Sequence, residues 1–351
     1  LLTLTLEARG ESSTIIGLLG ALTGIGIIIG APLAPAIATK WGAQNTLKIM
    51  LTVIGASFIA YKLFEDSLLA WFIIRFLSSV AGALVFTLSE ATIAAASPAP
   101  RRGMILGVYA ASFSAGFAVG PIILLAAGTT GWPPYLAAAA LTALAVFITQ
   151  LSGRSILEEK DAIGFNLFSL LRRAPLPAAC AFVVGATETS VYDLLPVYAK
   201  KLALDESAAV LLLTVFSVGA IILQAPLGAF LDRVGIRRGL IVLGGSGGIA
   251  ALFLPWMLIS GTAGYLGLAL WSGLMMTIYP AGLNEAARRF GTDELIAISA
   301  LFSLLYGAGA FFGPILCGAM MDLTTNGMAW ALAFFCFFLL LFVVFPARQK
   351  T

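Results

Sequence analysis

Long apolar stretches recur along this chain with almost no charge inside them. They run at roughly 15–39, 45–63, 69–97, 103–127, 132–151, 176–200, 206–232, 238–260, 262–287, 294–321 and 327–345, each bounded by Gly, Pro or charged residues. A helix rises about 1.5 Å per residue, so about 20 apolar residues cross the hydrocarbon of a bilayer. Only helices and closed barrels satisfy every backbone polar group there, and the short alternating segments of a barrel are absent. Charged residues make up 11% of the chain against 60% hydrophobic, at a mean hydropathy of +1.02. A soluble domain carries about 25% charged residues because its surface faces water. The expectation is an all-α integral membrane protein.

The apolar piece from Leu1 to Leu6 ends at Glu7, Arg9 and Gly10 and is too short to span. The chain opens without Met, so this stub reads as the end of a first helix whose beginning lies outside the sequence given. Cytoplasmic loops are rich in Lys and Arg, and this orients the bundle. Fifteen such residues fall on one side: Lys40, Lys48, Arg101, Arg102, Arg154, Lys160, Arg172, Arg173, Arg233, Arg237, Arg238, Arg288, Arg289, Arg348 and Lys350. Four (Arg9, Lys62, Lys200 and Lys201) fall on the other, among Glu7, Glu11, Glu65, Asp66, Asp205, Glu206 and Asp322. The C-terminus is therefore expected on the cytoplasmic face of the inner membrane.

A constant offset of 193 residues carries Gly26 onto Gly219, Gly42 onto Gly235, Gly116 onto Gly309, Gly120 onto Gly313 and Pro121 onto Pro314. Internal repetition of this kind implies two six-helix halves. They are residues 1–151, with the first helix truncated, and 176–351. A polar cytoplasmic linker over 152–175, holding a short amphipathic piece from Ile163 to Leu171, joins them.

Several classes of function are excluded by what the sequence lacks. There is no histidine, and Cys180, Cys317 and Cys336 lie inside apolar runs as core residues, so neither a metal nor a disulfide is expected. No H-E-x-x-H, no G-x-S-x-G and no phosphate loop occurs, which argues against an enzyme or an ATP-driven pump. No cofactor and no nucleic-acid partner are expected, and a monomer in the lipid bilayer is.

One polar turn is more specific. The run Gly228-Ala229-Phe230-Leu231-Asp232-Arg233-Val234-Gly235-Ile236-Arg237-Arg238 joins two apolar stretches. It resembles the loop signature of the major facilitator superfamily, with a weaker copy at Lys40-Trp41-Gly42 where Thr39 replaces the acid. The resemblance implies twelve helices in two pseudo-symmetric halves, and a secondary transporter. It also implies a gating role for Gly228, Asp232, Arg233, Gly235, Arg237 and Arg238, with the loop acid bridging to a neighbouring helix in one gating state. Gly107, Gly116, Gly120 and Pro121 resemble the superfamily's antiporter pattern, although Leu124-Leu125 replaces its closing glycine pair. Small residues at this spacing let helix backbones approach, and proline kinks the helix. This resemblance to the drug and sugar efflux antiporters favours export. The segments Ser89-Glu90-Ala91, Arg101-Arg102-Gly103 and Tyr279-Pro280 are similar to the uncharacterised YcaD-type branch of the superfamily.

An ionisable side chain at membrane depth is a functional candidate by default. Arg75 resembles the superfamily's fourth-helix arginine, which the antiporters link to proton coupling. Glu90 lies fifteen residues further along the same helix, about 22 Å away, too far to pair with it. Glu188 stands mid-helix in Thr187-Glu188-Thr189-Ser190 with Tyr192 one turn on, and Asp193 lies nearer the outer end. Burial disfavours the charged form of any carboxylate, and without histidine a carboxylate is the natural proton carrier. Glu188 and Glu90 lead these candidates, with Arg75 and Asp193 behind. Each acid can equally be satisfied by a neighbouring hydroxyl or arginine. Phe86, Tyr109, Phe113, Tyr192, Gln224, Trp271, Tyr279 and Tyr306 are candidates to line a substrate cavity, or to pack. The expected function is alternating-access transport of a small organic solute, as proton-coupled efflux. Import of a metabolite, or a non-transporting sensor on the same fold, is the alternative.

Overall fold

The structure, a computed structural model, describes residues 1–98, 101–151, 171–290 and 292–344. Helices account for nearly all of them, and no strand occurs among the described residues. In order they are α1 (Leu2–Ala8), α2 (Ser13–Trp41), α3 (Ala43–Leu63), α4 (Leu68–Ala96), α5 (Arg102–Ala127), α6 (Pro133–Leu151), α7 (Pro175–Lys201), α8 (Glu206–Val234), α9 (Ile236–Leu252), α10 (Leu254–Ile259), α11 (Gly261–Met276), α12 (Ile278–Arg289), α13 (Thr292–Leu323) and α14 (Gly327–Val344). Nine described stretches are long and apolar enough to cross a membrane, and Ala111–Ala127 of α5 is a shorter apolar one.

Two expected spans are broken, and proline explains both. The stretch at 238–260 divides at Phe253 into α9 and α10, where Pro255 offers no N–H to Ala251. The stretch at 262–287 divides at Thr277 into α11 and α12, because Pro280 leaves the carbonyl of Met276 without its partner. Taken as bent spans, these pairs bring the helices to the expected eleven plus the stub. Most of the expected linker, including Ile163, lies outside the described residues.

Local chemistry sets the helix ends. Ser67 accepts the amide of Ala70 to start α4, and Asp205 accepts that of Ala208, at 2.8 Å, to start α8. The turns after α2 and α8 need glycine: Gly42 and Gly235, one repeat apart, have φ of +80° and +85°.

The chain forms two compact units. Unit 1 comprises Leu1, Leu22–Gly116 and Ile123–Ile163; unit 2 comprises Leu2–Ala21, Phe117–Ile122 and Gly164–Thr351. In unit 1, Ala34, Ala38, Ala43, Leu84 and Leu88 form a buried cluster from α2, α3 and α4. Trp71 stands edge-on to Tyr61 and donates its indole N–H to the Tyr61 carbonyl at 3.1 Å. In unit 2, α7 is buried along most of its length and packs chiefly on α13. Trp271 is likewise sealed, its N–H bonded to the Gly247 carbonyl at 3.0 Å. The three free cysteines are all buried in this unit.

The repeat is visible in contacts as well as in sequence. A Cβ on Gly26 would lie 2.5 Å from Ser79, and one on Gly219 would lie 2.5 Å from Ser272, the same pair displaced by 193 residues. One turn further the glycine changes sides. Gly30 on α2 makes room for Val80 of α4, whereas at the equivalent positions Gly273 on α11 makes room for Leu223 of α8.

Candidate functional site

Unit 2 holds the polar centre. The hydroxyl of Tyr306, on α13, donates to Glu188 Oε2, on α7, at 2.9 Å. Three glycines permit this reach. A Cβ on Gly185 would collide with the Tyr306 carbonyl, one on Gly309 with the Phe182 carbonyl, and one on Gly313 would lie 2.5 Å from the Ala186 Cα. Backbone therefore meets backbone between α7 and α13, which is the approach that small residues allow between membrane helices. Tyr306 stands edge-on to Tyr279, at 6.0 Å between ring centres, and Tyr279 edge-on to Phe302 at 5.5 Å.

Tyr192 faces a different partner from the one its spacing allowed. Its hydroxyl lies 2.9 Å from Ser217 Oγ, and Ser217 already donates to the Leu213 carbonyl, so Tyr192 is the donor. Its ring packs on Phe117 at 4.7 Å and Phe216 at 5.7 Å, and Phe216 continues to Trp271 at 5.9 Å. Trp271 is 1% exposed with its only donor satisfied, so it is core and lines no cavity. Gln224 is exposed on α8. Asp193 occupies space left by Gly20 of α2, where a Cβ would lie 2.5 Å from Oδ2.

Unit 1 carries the remaining candidates. Arg75 is half-buried and donates to Thr23 Oγ1 at 2.8 Å, which makes it a bonded group within the helix layer. Phe86 packs on Phe113 at 5.1 Å and on Tyr109 at 6.5 Å. Glu90, expected to be buried, is exposed: it points off the face on which Leu84 and Leu88 pack.

The antiporter-type glycines behave differently from their repeat partners. A Cβ placed on Gly116 or on Gly120 would meet nothing within 4 Å, whereas Gly309 and Gly313 are tightly packed. Pro121 lies inside α5, and the side-chain surroundings of Gly107 lie outside what is described.

In the signature loop, Gly228 and Gly235 also face open space. Asp232, Arg233 and Arg238 are exposed, and no hydrogen bond or ion pair to Asp232 occurs among the described residues. Arg237 is engaged instead: its Nε donates at 2.8 Å to the Val343 carbonyl at the end of α14. A cation there also meets the negative end of the helix dipole.

Sequence reasoning missed Ser217, Phe117, Phe216 and Gly185. A lone serine or glycine in an apolar helix carries little signal until its neighbour is known. An apolar recess of about 410 Å³ beside α13 and α14, lined by Phe182, Phe312, Leu316, Phe334 and Phe338 among others, contains none of the candidates.

A multi-pass helical bundle with a bonded carboxylate and tyrosine inside it is compatible with a secondary transporter. The chain belongs to the Major Facilitator Superfamily, whose family model matches residues 1–294 and 177–351. It is 26% identical over 331 residues to the "Uncharacterized MFS-type transporter YfkF" of Bacillus subtilis, covering 90% of this chain and 82% of that protein. It is 22% identical over 351 residues to the "Uncharacterized MFS-type transporter YcaD" of Escherichia fergusonii, covering 96% and 87%. Among solved structures, the nucleoside transporter NupG superposes with a TM-score of 0.78 at 14% identity, covering 97% of this chain and 91% of that one. A D-xylose-proton symporter gives 0.75 at 15% identity, covering 97% and 91%. At such identities the likeness shows the fold alone.

Proposed function

We propose that this protein exports a small organic solute across the cytoplasmic membrane in exchange for protons, with its C-terminus in the cytoplasm. The observation that carries the reading is the bond from Tyr306 to Glu188 inside unit 2. An acid on a membrane helix is costly unless it has a partner, and here that partner is a neutral hydroxyl. Glu188 can therefore lose or gain a proton without breaking an ion pair. Tyr306 holds the carboxylate when it is charged; a proton arriving at Glu188 competes with that bond. Coupling follows if the two protonation states favour different conformations of the transporter. The fold shared with a D-xylose-proton symporter is compatible with proton coupling. Export rests on the antiporter-type resemblance of Gly107, Gly116, Gly120 and Pro121.

Transport would proceed by alternating access, residues 1–151 rocking against 176–351 around a central site. Arg75, bonded to Thr23, and Asp193 are the secondary coupling candidates, and Glu90 stands behind them because of its exposure. The aromatic faces of Tyr192, Tyr279, Phe86, Tyr109 and Phe113 suit a neutral or cationic amphiphile, or a sugar-like solute. A strongly anionic substrate would need clustered Arg or Lys. The test is flux in proteoliposomes with an imposed pH gradient, against a panel of such solutes. Glu188→Gln should abolish gradient-driven movement and keep downhill exchange. A variant that still pumps at every pH tested would remove Glu188 from the mechanism.

A further inference from the structure

The turn between α2 and α3 carries charge that neither the coupling residues nor the aromatic file uses. A cavity of about 420 Å³ opens there, lined by Trp41, Asn45, Lys48 and Ile49. The face of α3 that lines it points away from the core of unit 1. Ala43 and Thr46 are buried, and Leu47 and Met50 pack on the cluster of Ala34, Leu84 and Leu88. Asn45 and Ile49 are exposed and Lys48 is half-buried. Three side-chain donors line the cavity: Trp41 Nε1, Asn45 Nδ2 and Lys48 Nζ. Asn45 gives one N–H to the Trp41 carbonyl at 3.2 Å and keeps the other. Among the described residues, nothing bonds the Trp41 indole N–H or Lys48 Nζ. Gly42 supplies no side-chain cap to the first amides of α3, which adds N–H groups at the same helix end.

Charge at this turn is unbalanced, and the second half lacks the imbalance. No acid occurs between Glu11 and Glu65, and Glu90, the only acid on α4, is not among the lining residues. Where the second half has Asp232, Thr39 turns its hydroxyl back to the Ala36 carbonyl at 2.9 Å. Lys40 and Lys48 therefore have no acid beside them in the turn. Both turns are pinned alike. Gln44 Nε2 donates to the Thr149 carbonyl at 2.8 Å, and its repeat mate Arg237 donates to that of Val343. The other counterparts diverge: Val234 stands where Trp41 would be, and Ile241 where Lys48 would be. The tryptophan and the lysine thus belong to the first-half turn alone.

A tryptophan and a lysine at the end of a spanning helix stand at headgroup depth. Ile49, exposed one turn beyond Asn45, continues the lining toward the hydrocarbon. We propose that this cavity binds the phosphodiester headgroup of an anionic phospholipid, with an acyl chain lying on Ile49. A zwitterionic headgroup would bring an ammonium group for which the lining has no acid. The orientation given under Proposed function makes this the cytoplasmic leaflet; the site depends neither on that nor on Glu188. The test is native mass spectrometry of the full chain, titrated with phosphatidylglycerol or with phosphatidylethanolamine. The parent should bind phosphatidylglycerol more tightly. Lys48→Gln should lower that affinity about fivefold, the share of one lysine near an anionic headgroup, and leave phosphatidylethanolamine binding as it was. Arg238→Gln removes a cation from the equivalent turn and should keep the parent's affinity. Equal affinity for the two lipids, or equal losses in the two variants, would overturn the site. Inorganic phosphate should not displace the lipid; displacement would mark a site for soluble anions and overturn the assignment. If Lys48→Gln does not fold, hydrogen exchange of the parent decides. The amides of 42–46 should exchange more slowly in phosphatidylglycerol nanodiscs than in phosphatidylethanolamine ones, and those of 235–239 equally in both. Equal slowing at both turns would again overturn the site. No substrate or proton gradient enters these measurements, so their failure is separable from failure of the coupling role of Glu188.

Discussion

Gly185 lies directly against the backbone of Tyr306, and the hydroxyl of that same Tyr306 reaches Glu188 three residues further along α7. The position of the acid's partner is therefore set by the absence of a side chain one turn away. Gly185→Ala should force α13 off α7 and cost about 1–3 kcal/mol, as overpacking of a tight contact does. A lowered melting temperature in detergent, together with lost gradient-driven transport, is the expected outcome. A wild-type melt would show that the helices have slack there.

Tyr306→Phe removes only the donor and keeps the ring against Tyr279. The variant should still fold, because the aromatic packing remains, at a cost of about 1–3 kcal/mol for leaving the Glu188 carboxyl without its donor. Gradient-driven flux should fall several-fold while exchange persists, a milder version of Glu188→Gln. Flux measured across pH for both variants separates positioning from proton carriage: Tyr306→Phe keeps a pH dependence that Glu188→Gln loses.

The exchange of sides between Gly30 and Gly273 can be tested by moving the glycine. Gly273→Val places a branched side chain against Leu223 and should destabilise by about 1–3 kcal/mol. Adding Leu223→Gly recreates the arrangement of α2 and α4 on α8 and α11. The double variant should recover part of the loss, read as a favourable coupling in a double-mutant cycle of thermal melts. Simple additivity would mean that the two halves do not pack equivalently.

Arg237→Ala should cost about 1 kcal/mol, the net value of an ordinary hydrogen bond, through the lost bond to Val343. Arg238→Ala, with no such bond described, should cost less. Hydrogen exchange at the end of α14 should rise in the first variant only.

Orientation is checked by labelling. A cysteine at Arg238 should react only with membrane-permeant reagents in intact cells, and one at Thr325 with impermeant ones. Both sites are exposed. The reverse pattern would invert the topology.

Much of this architecture is written into the chain in readable form. The spans follow from hydropathy, and the offset of 193 that maps Gly26 onto Gly219 has a counterpart in what each glycine touches, Ser79 and Ser272. The need for Gly42 and Gly235 follows from turns that require positive φ. Pairing was not legible. Glu188 and Tyr306 were both candidates, yet nothing over a separation of 118 residues says that they touch. Burial within an apolar helix was equally hidden, because every face of such a helix is apolar and periodicity no longer marks the inside. That is why Glu90 was expected inside and Trp271 in a cavity, when the first is exposed and the second sealed. Asp322 reads as one more outer acid in the sequence, because two of its four donors are the backbone amides of Ser13 and Thr14, which carry no sequence signal.

The two sealed indoles have an optical consequence. Of six tryptophans, Trp41, Trp132, Trp256 and Trp330 are exposed, while Trp71 and Trp271 are 0% and 1% exposed with their N–H groups on carbonyls. Quenchers dissolved in the water and in the lipid tails, used together, extinguish emission only where they can touch. What survives the quenchers is the light of one indole in each unit, so the unlabelled protein carries a separate reporter for the integrity of each.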